Sequence, residues 1–334
     1  MNTRILDVSA YNNETTENIR QAAEALSQGG LVAFPTETVY GIGANAFDEE
    51  AVRRVYAAKG RPSDNPMIVH IARASDISTL AKKLSPQFIK LADAFWPGPL
   101  TMVVEKREEV PECVTGGLAT VGVRLPDSEV ARELIRLAGV PIAAPSANLS
   151  GSPSSTKAEH VISDLDGKVD VILAGSECRI GIESTVIDMT VSPPEILRPG
   201  FITRDDLEAA LDEPVAESPG MVFDSEAPRS PGMKYRHYAP KAEMLVVEGL
   251  REKVRAEIDR LKALNERIGL HVGVLLFEEK KYIEAAHDFY ARLRELDDEG
   301  VDMIIAGALA ENDGVGFAVM NRMMKAAGYK IVRV

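Results

Sequence analysis

A chain of 334 residues with 45% hydrophobic content has the length for two domains and enough apolar material for a sizeable core. Its net charge of −13 and its 5% of aromatic residues speak against a protein that grips nucleic acid with its general surface, which needs a basic footprint and exposed stacking rings. Two cysteines, no apolar run of ~18 residues and no signal-peptide core at the N-terminus together lead us to expect a cytoplasmic protein with reduced thiols and no membrane partner.

Short apolar runs alternate with helical patterns along the first two thirds. A helix is expected over Thr16–Gln28, then a buried strand over Leu31–Phe34, closed by Pro35. Gly41-Ile42-Gly43 reads as a tight turn. Residues Glu49–Ala58 follow as a helix with Asp48 as its N-cap. Strands are expected at Met67–Ile71, Leu100–Val104, Thr120–Leu125, Pro141–Ala144, Val171–Ala174, Thr185–Met189 and Glu195–Leu197. Helices fit Pro86–Ala94, Ser128–Ala138 and Arg204–Leu211. Some strands follow one another without a helix, so the α/β sheet should be mixed.

A Pro-, Gly- and Ser-rich stretch then interrupts the pattern. We therefore expect a first domain over 1–212, a linker or lid over 213–241 and a smaller, Rossmann-like α/β domain over 242–334. In that last part, strands at Met244–Val247, Gly273–Phe277, Met303–Ala306 and Ile331–Val334 alternate with helices at Arg251–Ile268, Ile283–Leu296 and Val315–Ala327. The acidic excess lies mostly in the first domain.

Five polar clusters follow apolar strands, where α/β proteins place ligands. Thr36, Thr38 and Tyr40 carry hydroxyls that both donate and accept, or simply cap a turn. Lys59-Gly60-Arg61 offers a point charge and a planar fork to one polyanion, or is a solvated charged turn. His70, inside a strand, reads on its own as a core histidine. Arg124 ends a strand and must pair with an internal acid or hold a substrate carboxylate. Ser146-Ala147-Asn148 and the serines through Ser155 suit phosphate or ribose oxygens, or cap the helix that follows. The fifth cluster is Glu183-Ser184-Thr185, followed by Leu197-Arg198-Pro199-Gly200. There is no Walker A motif, no Gly-x-Gly-x-x-Gly after a strand, and no metal-ligand spacing among the histidines.

In this order, FPTETVYGIGANA, KGRPSDNPMIVHI, WPGPLTMVV, VGVRLPD, PIAAPSANLSGSPS, IESTVIDM, ILRPG and SPGMKYRHYAPK closely resemble the Sua5/YrdC family, in its longer Sua5 form, over essentially the whole chain. The resemblance implies a twisted, open, mixed α/β sheet (YrdC-like) around a basic cavity. It also implies a nucleotidyltransferase activity that condenses L-threonine, bicarbonate and ATP, with Mg²⁺, into threonylcarbamoyl-adenylate and pyrophosphate. A separate complex would then modify adenosine 37 of tRNA. Carried over by motif position, Thr38, His70, Arg124, Ala144 and Ser184 should contact threonine, with Thr36 close by. Lys59, Arg61, Asn65, Thr120, Ser146, Asn148, Ser154, Arg198 and Tyr238 should surround ATP, with Lys59 and Arg61 neutralising charge on the phosphates. The segment Ser230–Pro240 is expected to fold over the cavity, bringing Lys234, Tyr235, Arg236 and Tyr238 to the nucleotide. Two other functions compete with this one. An RNA-binding or ribosome-assembly module is disfavoured by the acidic first domain, and no stable direct contact with nucleic acid is expected. A carbamoyl-transfer module of the hydrogenase-maturation kind is disfavoured by the lack of Cys-x-x-Cys spacing.

Overall fold

The structure is a computed structural model and describes residues 2–10, 12–218, 228–231, 237–309 and 314–334. The first part runs β1 (Arg4–Asp7), α1 (Asn13–Ser27), β2 (Val32–Phe34), β3 (Gly41–Asn45), α2 (Glu49–Lys59), β4 (Ile68–His70), α3 (Pro86–Phe95), β5 (Leu100–Glu105) and α4 (Glu112–Thr115). It continues through β6 (Thr120–Arg124), α5 (Glu129–Ala138), β7 (Ile142–Ala143), α6 (Ala158–Leu165), β8 (Val171–Ala174), β9 (Thr185–Asp188), β10 (Glu195–Arg198), α7 (Arg204–Leu211) and β11 (Ala216–Glu217).

These strands form one mixed sheet in the order β1-β8-β2-β3-β7-β4-β6-β5-β9-β10-β11. The sheet is buried on both faces, which is why its strands read as unbroken apolar runs. Val32 and Phe34 pack with α1 and α5 on one face. Ala33, between them, points to the opposite face, with α2, α3, α6 and α7. Asp48 caps α2 as expected, accepting from the backbone of Ala51 at 3.0 Å.

The expected turn at Gly41-Ile42-Gly43 is instead the strand β3, antiparallel to both β2 and β7. Packing explains these glycines better than turn chemistry does. A Cβ on Gly43 would lie 2.3 Å from Cγ2 of Ile142, and one on Gly41 would lie 3.2 Å from the Phe34 ring. Neither β1 nor β11 stood out in the sequence, because each is a short, largely exposed edge strand, four and two residues long.

The second sheet comprises β12 (Glu243–Glu248), β13 (Val272–Leu275), β14 (Met303–Gly307) and β15 (Ile331–Arg333), all parallel, in the order β13-β14-β12-β15. Helix α8 (Arg251–Arg267) covers one face, and α9 (Tyr282–Asp298) and α10 (Gly314–Ala326) cover the other. The α9–α10 core also takes in Val39, Ile180 and Ile182 from the first part of the chain. Each such side chain removed from water contributes roughly 1.5–3 kcal/mol, so the small unit is packed onto the large one rather than tethered beside it. Among the described residues, no helix is long and apolar enough to cross a membrane.

Candidate active site

The strand ends of the large sheet converge on one cleft of about 600 Å³. Thr36 and Thr38 follow β2, His70 ends β4, Arg124 ends β6, Ala144 follows β7 and Ser184 precedes β9; all six line the cleft. Arg61, Ser146, Arg198 and Tyr238 line it too. Strands β4 and β6 run parallel with His70 opposite Arg124, which places these two side by side.

Arg124 is held from three directions. Its Nε donates to the carbonyl of Gly98 at 3.2 Å, and its Nη1 donates to the Thr38 hydroxyl at 2.9 Å. Its Nη2 lies 2.7 Å from Oε1 of Glu37, an ion contact without hydrogen-bond alignment. Of the two possibilities open from sequence, the internal acid is present, and Arg124 also faces the cleft. The Gly98 carbonyl comes from the Trp-Pro-Gly-Pro-Leu segment, where Trp96 Nε1 donates to the carbonyl of Leu100 at 2.8 Å. Thr36 donates to the Val39 carbonyl at 2.7 Å and lies 2.9 Å from the Thr38 hydroxyl. His70 is buried, and its Nδ1 has no hydrogen-bond partner among the described residues. Burial, and then the charge of Arg124, push its pKa down to about 3, so the ring is neutral.

On the other side, Arg61 Nη2 donates to the carbonyl of Pro66 at 3.0 Å, while its Nε has no partner among the described residues. Burial lowers this guanidinium to about 10, still charged at neutral pH. Arg198 donates through Nε and Nη2 to the Ser184 carbonyl at 3.2 and 3.0 Å, and the Ser184 hydroxyl meets that of Thr101 at 2.7 Å. Tyr238 adopts a left-handed backbone, φ 65°, and its ring lies 5.4 Å from that of Tyr290.

Five of the expected nucleotide residues do not line the cleft. Lys59 is buried, and its Nζ donates to the carbonyls of Ser146, at 2.6 Å, and of Asn148. Asn148 accepts from the Ser146 hydroxyl at 2.5 Å. Ser154 donates to Glu183 at 2.6 Å. Asn65 is buried behind Arg61 with an unpartnered side-chain oxygen among the described residues. Thr120 opens onto a smaller neighbouring cavity that shares Ile68 and Pro231 with the cleft. The serines of 150–155 do not cap α6, whose N-cap is Lys157 and has no side-chain cap. They serve the site instead, because Ser155 donates to the carbonyl of Ala147 and Ser154 braces Glu183. Of the segment expected to fold over the cavity, Pro231, His237 and Tyr238 line the cleft, whereas Lys234, Tyr235 and Arg236 lie outside the described residues.

The second unit reaches the site through Tyr290, Arg294, Arg322 and Lys325, none of which lies in a polar cluster of the sequence. Glu183 lines the cleft, and Tyr290 from α9 donates to both of its oxygens at 3.0 Å. Arg322 from α10, fully buried, donates Nε to Glu183 at 3.1 Å and also bonds the Pro199 carbonyl. Burial would raise the Glu183 carboxyl, but Arg322 and Arg198 outweigh it and hold it below its usual range. Arg294 from α9 meets Asp164 at 2.7 Å and donates to the Pro153 carbonyl at 2.7 Å. His237 is lowered to about 3 by burial and by Arg61, and Lys325 to about 7 by burial and by Arg322. The sequence signal for these residues is Arg322 and Lys325, three apart in an otherwise apolar helix, which places two cations on or beside a buried face.

A twisted mixed sheet whose strand ends gather arginines, hydroxyls and a neutral histidine in one cleft, walled by a smaller unit with an all-parallel sheet in the order 2-3-1-4 rather than the expected Rossmann order, defines a two-domain α/β protein of the YrdC-like class. A family profile described as "Telomere recombination", spanning the Sua5, YciO and YrdC proteins, matches residues 24–200. A second, described as "Threonylcarbamoyl-AMP synthase, C-terminal domain", matches residues 202–328. The chain belongs to the Sua5/YrdC family. The threonylcarbamoyl-AMP synthase of Pyrococcus abyssi is 50% identical, covering 95% of this chain and 96% of its own length. That of Bacillus subtilis is 44% identical, covering 98% of each. The crystal structure of P. abyssi Sua5 complexed with L-threonine superposes with a TM-score of 0.94 at 47% identity, over 99% of this chain and 100% of that one. E. coli YciO, 24% identical with a TM-score of 0.52, covers 59% of this chain and 95% of its own length, and shares the fold of the first part.

Proposed function

We propose that this chain is a threonylcarbamoyl-AMP synthase, joining L-threonine, bicarbonate and ATP into threonylcarbamoyl-adenylate with release of pyrophosphate. The observation that carries this reading is the convergence of Arg124, Arg61 and Ser146 on a single cleft. A relative of the same fold binds L-threonine, and the whole-length relatives carry the name of the activity. Threonine lies at the Thr36, Thr38, Arg124 and Ser184 end, its carboxylate toward the Arg124 guanidinium. A neutral His70 adds no charge against the substrate's ammonium. The triphosphate lies toward Arg61, Arg198 and Ser146.

The chemistry is positioning plus charge stabilisation. The threonine amine, once deprotonated, attacks the bicarbonate carbon, and water leaves. A carbamate oxygen then attacks the α-phosphorus, and pyrophosphate departs with its charge held by Arg61 and Arg198. Lys59, Asn148 and Ser154 act from behind, fixing the Ser146 loop and Glu183. Pro231, His237 and Tyr238 wall the cleft and limit water, which would hydrolyse the adenylate.

The described side chains do not suit a protein-held magnesium ion. Glu183, the carboxylate among the described lining residues, is already occupied by Tyr290, Arg322 and Ser154. Any Mg²⁺ would enter on the phosphates as part of the substrate. The product passes to a separate tRNA-modifying complex, which fits a cytoplasmic enzyme. The acidic charge supports this over an RNA-binding role.

Pyrophosphate release, measured with each of threonine, bicarbonate and ATP omitted in turn, tests the reading. Release should require all three, and release without threonine would overturn it.

A further inference from the structure

The proposed reaction leaves one buried charge without a task. Glu37 sits between two threonines that line the cleft, yet lies behind the wall and is only 4% exposed. Its Oε1 is 2.7 Å from Arg124 Nη2, and neither of its oxygens takes a hydrogen bond from a described residue. Arg124 is already oriented by the Gly98 carbonyl and the Thr38 hydroxyl. Glu37 therefore adds charge to this corner more than it adds direction.

That charge changes what the corner attracts. A lone buried guanidinium draws in any carboxylate. A guanidinium with a buried carboxylate against it presents a dipole of little net charge. A plain carboxylate gains from Arg124 but is repelled by Glu37. A zwitterion carries a positive group two bonds from its carboxylate carbon and gains from both. At an effective dielectric near 20, unit charges about 6 Å apart still interact by several times thermal energy, so the effect survives the intervening wall.

We propose that Glu37 is a specificity-determining residue, which makes the Arg124 pocket select a zwitterionic α-amino acid over a hydroxy acid of the same shape that lacks the amine. The inference rests on the reading of Arg124 as the anchor of the substrate carboxylate. It gives the pair a chemical purpose, since the proposed reaction begins with an amine attacking bicarbonate, and a seated hydroxy acid without that amine is a dead end.

The test is titration calorimetry with L-threonine and with 3-hydroxybutyrate, which lacks the α-amine. The wild type should favour threonine clearly. Glu37→Gln should bind 3-hydroxybutyrate more tightly and threonine less tightly, lowering the affinity ratio by about tenfold or more, as removal of one such charge implies. Glu37→Asp, which keeps the charge but draws it back, should fall between the two. A merely structural role would weaken both ligands together and leave the ratio unmoved, and that result in Glu37→Gln overturns the inference. If Glu37→Gln does not fold, Glu37→Asp decides: a ratio about threefold lower supports the inference, and an unchanged ratio refutes it. A wild type that binds both ligands equally also refutes it while leaving the proposed activity standing. A wild type that binds no threonine removes the functional reading itself, and this inference with it.

Discussion

Lys59 and Arg61 stand two residues apart on opposite sides of the α2 terminus, and they do different work. Gly60 takes the left-handed conformation, φ 63°, that ends α2 and lets the chain turn between them. Lys59 turns inward to two carbonyls, and burial holds its pKa well below the usual value. Arg61 turns to the cleft with donors still unspent. Lys-x-Arg spacing announces two cations near one anion, but it cannot say which one points in, because that depends on a capping residue and on the distant carbonyls of Ser146 and Asn148. Arg61→Lys keeps a cation and loses the planar fork. Loss of one charge-assisted pair, about 1.4 kcal/mol, should raise KM for ATP about tenfold. Threonine affinity by calorimetry should stay the same, because Arg61 touches none of the groups that hold Arg124. Equal losses for both substrates would mean that Arg61 shapes the whole cleft instead.

At the scale of elements, strands flanked by clear polar breaks could be read from sequence. The expected strand over Val171–Ala174 and helix over Arg204–Leu211 coincide with the observed elements, and the others differ mainly at their ends. Apolar runs between prolines and glycines carry that information locally. Strand β3 could not be read this way, because its glycines answer to Ile142 and Phe34, which lie far away in sequence and meet it only once β2, β3 and β7 are side by side. Most of the cleft lining was legible for the opposite reason, since Thr36, Thr38, His70, Arg124, Ser146 and Arg198 sit at or just beyond the ends of recognisable runs. Packing at β3 is close enough to test. Gly43→Ala would press a methyl against Ile142 at 2.3 Å, and overpacking of this kind costs about 1–3 kcal/mol. The denaturation midpoint should fall accordingly. Ile142→Ala, destabilising alone, should offset part of the Gly43→Ala loss in the double variant, a non-additivity of about 0.5–3 kcal/mol for touching residues. Additive losses would show that the strain is relieved elsewhere in the sheet.

Across the whole molecule, buried charge and buried neutral bases share one dependence on pH. The second unit could be foreseen as a fold but not as part of the site, because Tyr290 and Arg322 each meet Glu183 from more than a hundred residues away. Around that junction and the cleft, His70 and His237 are lowered to about 3, and His160 to about 4, with burial the largest cause in each. Unfolded histidines titrate near 6.5. Below that value the unfolded chain binds protons that the folded chain refuses, so the histidines' contribution to stability is fully present above pH 6.5 and drains away as the pH falls toward 3–4. Glu183 adds to the same trend lower down: its folded value lies under the usual 4.5, so its contribution is present above that pH and is lost as it protonates. Urea midpoints measured from pH 7 to pH 4.5 should therefore fall steadily, beginning near 6.5, well before the carboxylates titrate. Replacing His70 by Gln, which has no proton to gain, should flatten the upper part of that decline. An unchanged slope in His70→Gln would mean that this ring takes up its proton equally in the folded and unfolded chains, and that burial does not hold it neutral as the pH falls.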